Sequence, residues 1–187
     1  MLWYDPGLTR KDGYEMGYVH DVAMSRWFSP KDCMRSAGTW AEAEVTGIAD
    51  VWCLIRTAAA AAFNLAIPIR LLQNSADGKG CKLVSVDVGW ITGTADPTTL
   101  TASIFKVPKQ IDGALLVAGT AVTFTYDAEH LTNAARVDQD EHWMTLTITN
   151  PVWLDNDELW HVEIYCDAAA TSALEYLGAR ANYTLRL

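Results

Sequence analysis

From Thr39 onward, apolar and polar residues alternate in one segment after another, and this constrains the chain more than any other feature of its sequence. A period of two sends successive side chains to opposite faces of a sheet, so one face enters a core while the other meets water. Phe63, Leu65, Ile67, Ile69 and Leu71 alternate with Asn64, Ala66, Pro68 and Arg70, and Val84, Val86, Val88 and Trp90 alternate with Ser85, Asp87 and Gly89. The same pattern runs through 99–104, 122–126, 144–149, 160–166 and 177–187, and Val51 to Arg56 brings the count to about eight strands. Pro68 has no donor N–H, which predicts an edge position or a bend. Turn-forming residues separate the segments at Asn74 to Gly80, Gly93 to Pro97, Gln110 to Gly113, Asp138 to Glu141 and Asp155 to Glu158. Short strands at even spacing, without an amphipathic helix of any length, predict an all-β chain. The expected form is an antiparallel β-sandwich of jelly-roll type with an extended N-terminal arm. Strand order stays open, because immunoglobulin-like sandwiches accept the same pattern. The closing segment reaches Leu187, so no C-terminal tail is expected.

The arm spans residues 1–36 and the sandwich 37–187. The arm carries Trp3, Tyr4, Tyr14, Tyr18, Trp27 and Phe28 among Pro6, Gly7, Gly13, Gly17 and Pro30, with a trace of helical spacing only from Asp21 to Phe28. Aromatic side chains in an irregular segment need another surface to bury against. Two readings stand: an arm folded over its own domain, or one reaching a neighbouring subunit.

Charge and cysteine usage narrow the function classes. The net charge is −9, and basic residues such as Arg56, Arg70, Lys79 and Lys106 are scattered singly, which speaks against a phosphate-backbone binder. No apolar run approaches the roughly 20 residues that cross a bilayer, and no basic-then-apolar secretory leader opens the chain. Neither nucleic acid nor membrane is an expected partner. Cys33, Cys53, Cys81 and Cys166 lack the Cys-x-x-Cys spacing of a zinc ribbon and read as buried thiols.

A search for catalytic constellations finds no Gly-x-Ser-x-Gly elbow, phosphate-binding loop or His-Glu-x-x-His. His161-Val162-Glu163 lacks the Pro-Cys-x-x-Cys partner of a zinc deaminase, and His161 falls on the polar side of its strand. His130, His142 and Glu141 come nearest to a ligand set, but without the spacing of a cupin site. The acidic runs Asp138-Gln139-Asp140-Glu141 and Asp155-Asn156-Asp157-Glu158 suit tight turns, since Asp and Asn bond their own backbone. No catalytic residue, metal or cofactor is expected, and the chain reads as a non-enzyme.

From Phe63 to the end the chain resembles the trimeric β-sandwich modules of tailed-bacteriophage virions, found as capsid decoration (cement) proteins, head fibres and tail-associated spikes. The resemblance rests on the order of particular elements. Ala66-Ile67-Pro68-Ile69 is followed by the polar turn at Asn74 to Gly80 and then Lys82-Leu83-Val84-Ser85-Val86. Thr147-Ile148-Thr149-Asn150-Pro151 precedes an acidic turn and Val162-Glu163-Ile164, and the chain closes through Tyr176-Leu177-Gly178-Ala179-Arg180. It implies a structural virion protein made in the host cytoplasm, a homotrimer whose arm anchors to a major capsid protein or another virion protein. The surplus of tryptophan agrees with interface use, because these rings bury large area at low entropy cost. The alternative is a receptor- or carbohydrate-binding module, with a sugar face stacked on Trp153 and hydroxyls taken by Asp155 and Asp157.

Overall fold

The computed structural model describes residues 21–70, 80–93, 95–108, 118–154, 158–168 and 172–186. Its strands are β1 (Asp21–Phe28), β2 (Met34–Arg35), β3 (Trp40–Glu44), β4 (Trp52–Arg56), β5 (Ala62–Ile69), β6 (Cys81–Thr92), β7 (Thr99–Pro108), β8 (Thr120–Val122), β9 (Phe124–Tyr126), β10 (Glu141–Trp153), β11 (Glu158–Asp167) and β12 (Leu174–Arg186). One five-residue helix, α1 (Asn133–Val137), lies between β9 and β10.

Every pairing is antiparallel, and the strands form two sheets, β3-β4-β12-β6-β10-β9 with β1 on β12, and β2-β5-β11-β7-β8. Numbering β4, β5, β6, β7, β8, β10, β11 and β12 in chain order, one sheet reads first, eighth, third, sixth and the other second, seventh, fourth, fifth. That is the jelly-roll order, which decides between the two sandwich types that periodicity alone accepts. The segment expected as a single strand over 122–126 is two: β8 pairs β7, β9 pairs β10, and the chain changes sheet at Thr123. Val122, Phe124 and Tyr126 all pack on the core from this corner, so the alternation survives the crossing.

Inward residues of both sheets, among them Leu83, Val86, Val88, Trp90, Leu65, Ile67, Leu100, Ile104, Val162 and Ile164, make one core. Each such aliphatic side chain stabilises the fold by roughly 1.5–3 kcal/mol relative to exposure. Pro68 lies where expected, since β2 reaches only Leu65 and Ala66 and, among the described strands, leaves that stretch of β5 with β11 alone. All four cysteines are buried thiols, and burial pushes Cys53 up to about 11 and Cys166 up to about 12.

The N-terminal side departs from expectation. Asp21–Phe28 is not irregular but a strand, paired from Asp21↔Arg186 to Phe28↔Ala179. The alternation is masked because Arg26 falls between Met24 and Phe28 on one side of the strand, its guanidinium lying 5.9 Å over the Phe28 ring, and Val22 and Met24 on that side stay 40% and 38% exposed. Phe28 is 2% exposed and belongs to the chain's own core, whereas Trp27 projects outward. β4 and β1 occupy the same side of β12 end to end, pairing with 174–176 and 179–186. Gly178 sits at their junction with φ +120°, and a Cβ there would stand 2.8 Å from the Phe28 carbonyl oxygen. Trp3, Tyr4, Tyr14, Tyr18, Asp155 and Asp157 lie outside the described residues.

Candidate binding face on the seven-stranded sheet

The outward face of β10, β6, β12 and β1 is knit by polar side chains in register. Thr145 faces Asp87, Asp87 faces Arg180, and Arg180 faces Trp27; the next row holds Thr147, Ser85, Asn182 and Ser25. Asp87 is the hub. Its Oδ1 accepts from Thr145 Oγ1 at 2.8 Å, and its Oδ2 accepts from Arg180 Nε at 2.8 Å and Asn182 Nδ2 at 3.1 Å. Asn182 also donates to Ser85 Oγ, and Ser25 Oγ donates to Asn182 Oδ1. Asp87 is buried beneath its partners while half of Arg180 meets solvent, so this is a satisfied charge network with an accessible rim.

Two tryptophans stand over one end of this face. Trp27 is 61% and Trp143 40% exposed, and their rings meet edge to face at 85° and 5.8 Å between centroids. Arg180 lies 5.3 Å over the Trp27 ring, and the Trp143 indole donates to Glu141 Oε1 at 2.9 Å. The six-membered end of Trp143 rests against β6 where a Cβ at Gly89 would fall 2.6 Å from it, so Gly89 supplies the space that seats the ring. Trp27, Asp87, Trp143, Thr145 and Arg180 line an open pocket of about 280 Å³. An aromatic corner of this kind, held rigid by a sheet and rimmed by a guanidinium, suits a stacked or apolar contact with directional hydrogen bonds.

A third tryptophan closes the other end of the same face. Trp153, 41% exposed, has Lys82 Nζ at 4.6 Å and Arg186 at 4.7 Å over its ring, and Gly80, with φ +110°, would place a Cβ 3.2 Å from it. Arg186 in turn bonds Asp21, whose carboxyl it holds below the usual carboxylate range, chiefly through that hydrogen bond.

The remaining candidates divide. His130 and His142 come together, Nε2 to Nδ1 at 3.3 Å, but Glu141 is turned to Trp143, and among the described residues no group of three or more could hold a metal ion. His161 stacks on Phe105 at 5.4 Å on the outward face of the other sheet, where burial holds its pKa below the ordinary value. In the first acidic run, Asp138 bonds His142 and Gln139 bonds Asp96. The hub at Asp87 and Arg180 was visible only as alternating polar positions in separate strands; its signal is opposite charges on strands that the topology makes neighbours.

No family model matches the chain, and no curated protein matches it. Among solved structures, one that concerns the structural basis for the promiscuous specificity of carbohydrate-binding modules from the β-sandwich superfamily is similar at 8% identity and a TM-score of 0.38. The match covers 88% of this chain and 57% of that one, so this chain spans little more than half of its length. The fold assignment stands on the strand pairing itself.

Proposed function

We propose that the chain is a non-catalytic assembly module of a virion, a capsid decoration protein that associates as a homotrimer through the Trp27–Trp143 face. In this reading the residues before β1 reach a capsid subunit. The supporting observation is the exposed tryptophan pair on a rigid, fully bonded sheet face, since buried Trp and Arg anchors carry most of the free energy of protein interfaces. Trimerisation multiplies weak arm contacts by effective concentration. β1 belongs to the sheet, so the segment to remove in a test is 1–20. Deleting 1–20 is expected to leave a folded trimer by native mass spectrometry that no longer sediments with particles. A monomeric full-length chain overturns the reading, as does undiminished particle binding by the deletion.

A second reading is favoured by the same corner: saccharide binding, with a sugar face on Trp143 and hydroxyls bonded by Arg180 and Thr145. In this reading the sugar contacts lie away from Trp153, whose ring already faces two cations. A glycan array with wild type beside Trp143→Ala separates the two readings: signal lost in the variant supports the sugar site, and silence from wild type removes it.

A further inference from the structure

The segment from β9 to β10 closes one end of the sandwich by binding both sheets. Asp127 accepts Thr145 N–H of β10 at its Oδ2 (2.6 Å), while Arg136 of α1 donates to Leu100 O of β7 (2.8 Å) and to His130 O (2.7 Å). Between these anchors lie His130 and His142, both about 95% buried by their 5% and 4% exposures.

The partners of the four ring nitrogens fix how many protons the pair carries. His130 Nδ1 lies 2.7 Å from Asp127 Oδ1, an oxygen that already accepts Glu129 N–H and His130 N–H. Burial raises the Asp127 pKa, but the N–H donors from Thr145 and His130 outweigh it and hold the group below its usual value. Asp127 is therefore an anion, and His130 Nδ1 must be protonated to face it. His142 Nε2 lies 3.1 Å from the Asp138 backbone carbonyl and 3.0 Å from its Oδ1. A carbonyl cannot donate, so His142 Nε2 is also protonated. The inner nitrogens, 3.3 Å apart, then need one proton between them to bond at all. Three protons on two imidazoles is one more than two neutral rings hold.

We propose that His130 and His142 share one excess proton, and that this singly charged pair clasps the segment from Asp127 to Asp138 onto β10. The charges facing the pair suit it. The Asp127 and Asp138 carboxylates stand at the two outer nitrogens, and the Arg136 guanidinium meets His130 through its carbonyl while lying over the Tyr126 ring of β9. From β6 the Trp90 ring stacks on His142 at 4.9 Å and 17°, a face suited to a cation. Glu141, beside His142 on β10, is bonded to Trp143. The folded state binds the excess proton and the separated, unfolded rings do not hold it in this bond. Without that proton two lone pairs would face each other across 3.3 Å and the inner bond of the clasp would be lost.

Nitrogen-15 spectra of the histidine rings, recorded on the intact chain across a pH series, count the protons directly. The expected result is three protonated nitrogens over the two rings while the Thr145 amide stays protected, with protection falling in step with the third proton. His142→Gln should abolish that step. Two neutral rings under a still-protected Thr145 amide overturn the proposal, as does a His142→Gln variant that keeps the wild-type pH dependence. If that variant does not fold, the wild-type spectra decide alone.

Discussion

Trp143 and Trp153 lie on the same strand, on the same face and at almost the same exposure, 40% and 41%, yet they offer different things to a partner. Trp143 is seated over a glycine and walled by a second tryptophan, beside a guanidinium already committed to a buried acid. Trp153 has Lys82 and Arg186 over its ring, and Arg186 is itself paired with Asp21. Exposure alone therefore does not rank binding residues. What separates the two is whether the ring's attractive surface is already used by cations from its own sheet.

The contrast is sharpest in association. Trp143→Ala is expected to weaken self-association by at least about 30-fold, the roughly 2 kcal/mol of a hot spot, while Trp153→Ala stays within about threefold. Sedimentation of the full chain measures both, and equal losses would erase the distinction. In stability, Asp87→Ala should cost about 2 kcal/mol by urea denaturation, because Arg180, Asn182 and Thr145 lose their common acceptor. Gly80→Ala at the other end should cost about 1 kcal/mol, from the left-handed backbone and the crowding of Trp153. Arg186→Gln is expected to leave the denaturation midpoint unchanged but to reduce quenching of Trp153 by iodide, with acrylamide quenching unaffected; an equal change in both would refute the cation contact. The smallest effect is Asp21's own titration, seen by carboxyl NMR below the usual aspartate range. Its pairing with Arg186 holds above that range and is lost as pH falls through the lowered value.

How much of this could be read in the sequence follows from distance along the chain. A strand such as β5 declares itself locally, because it buries every second side chain against a core, whereas in β6 the inward row slips from Leu83 to Val86 and leaves Val84 half-buried. β1 does not declare itself, since Arg26 falls between Met24 and Phe28 on one side of it and its only partner among the described strands lies 151 or more positions away, from Phe28↔Ala179 outward. The binding face is harder still. Ser25, Asp87, Thr145 and Arg180 are ordinary polar positions until register lines them up across four strands. His130 and His142, twelve residues apart, lack the spacing of a cupin site in the sequence; a short turn and helix between β9 and β10 fold the first ring back onto the second. Trp153 was found as a surface aromatic, but the cations over it come from β6 and β12.

The position of β12 carries a consequence for synthesis. It is the last described strand in chain order, yet it sits between β6 on one side and both β4 and β1 on the other. Those neighbours must therefore wait, unpaired along that line, until residues 174–186 leave the ribosome. Such a sheet cannot zip up from its N-terminal end; it closes in a late event that joins positions as distant as Asp21 and Arg186. Slow translation before residues 174–186 emerge would lengthen the interval in which β1 and β6 present open edges, when a nascent chain is most exposed to pairing with its neighbours on the same polysome.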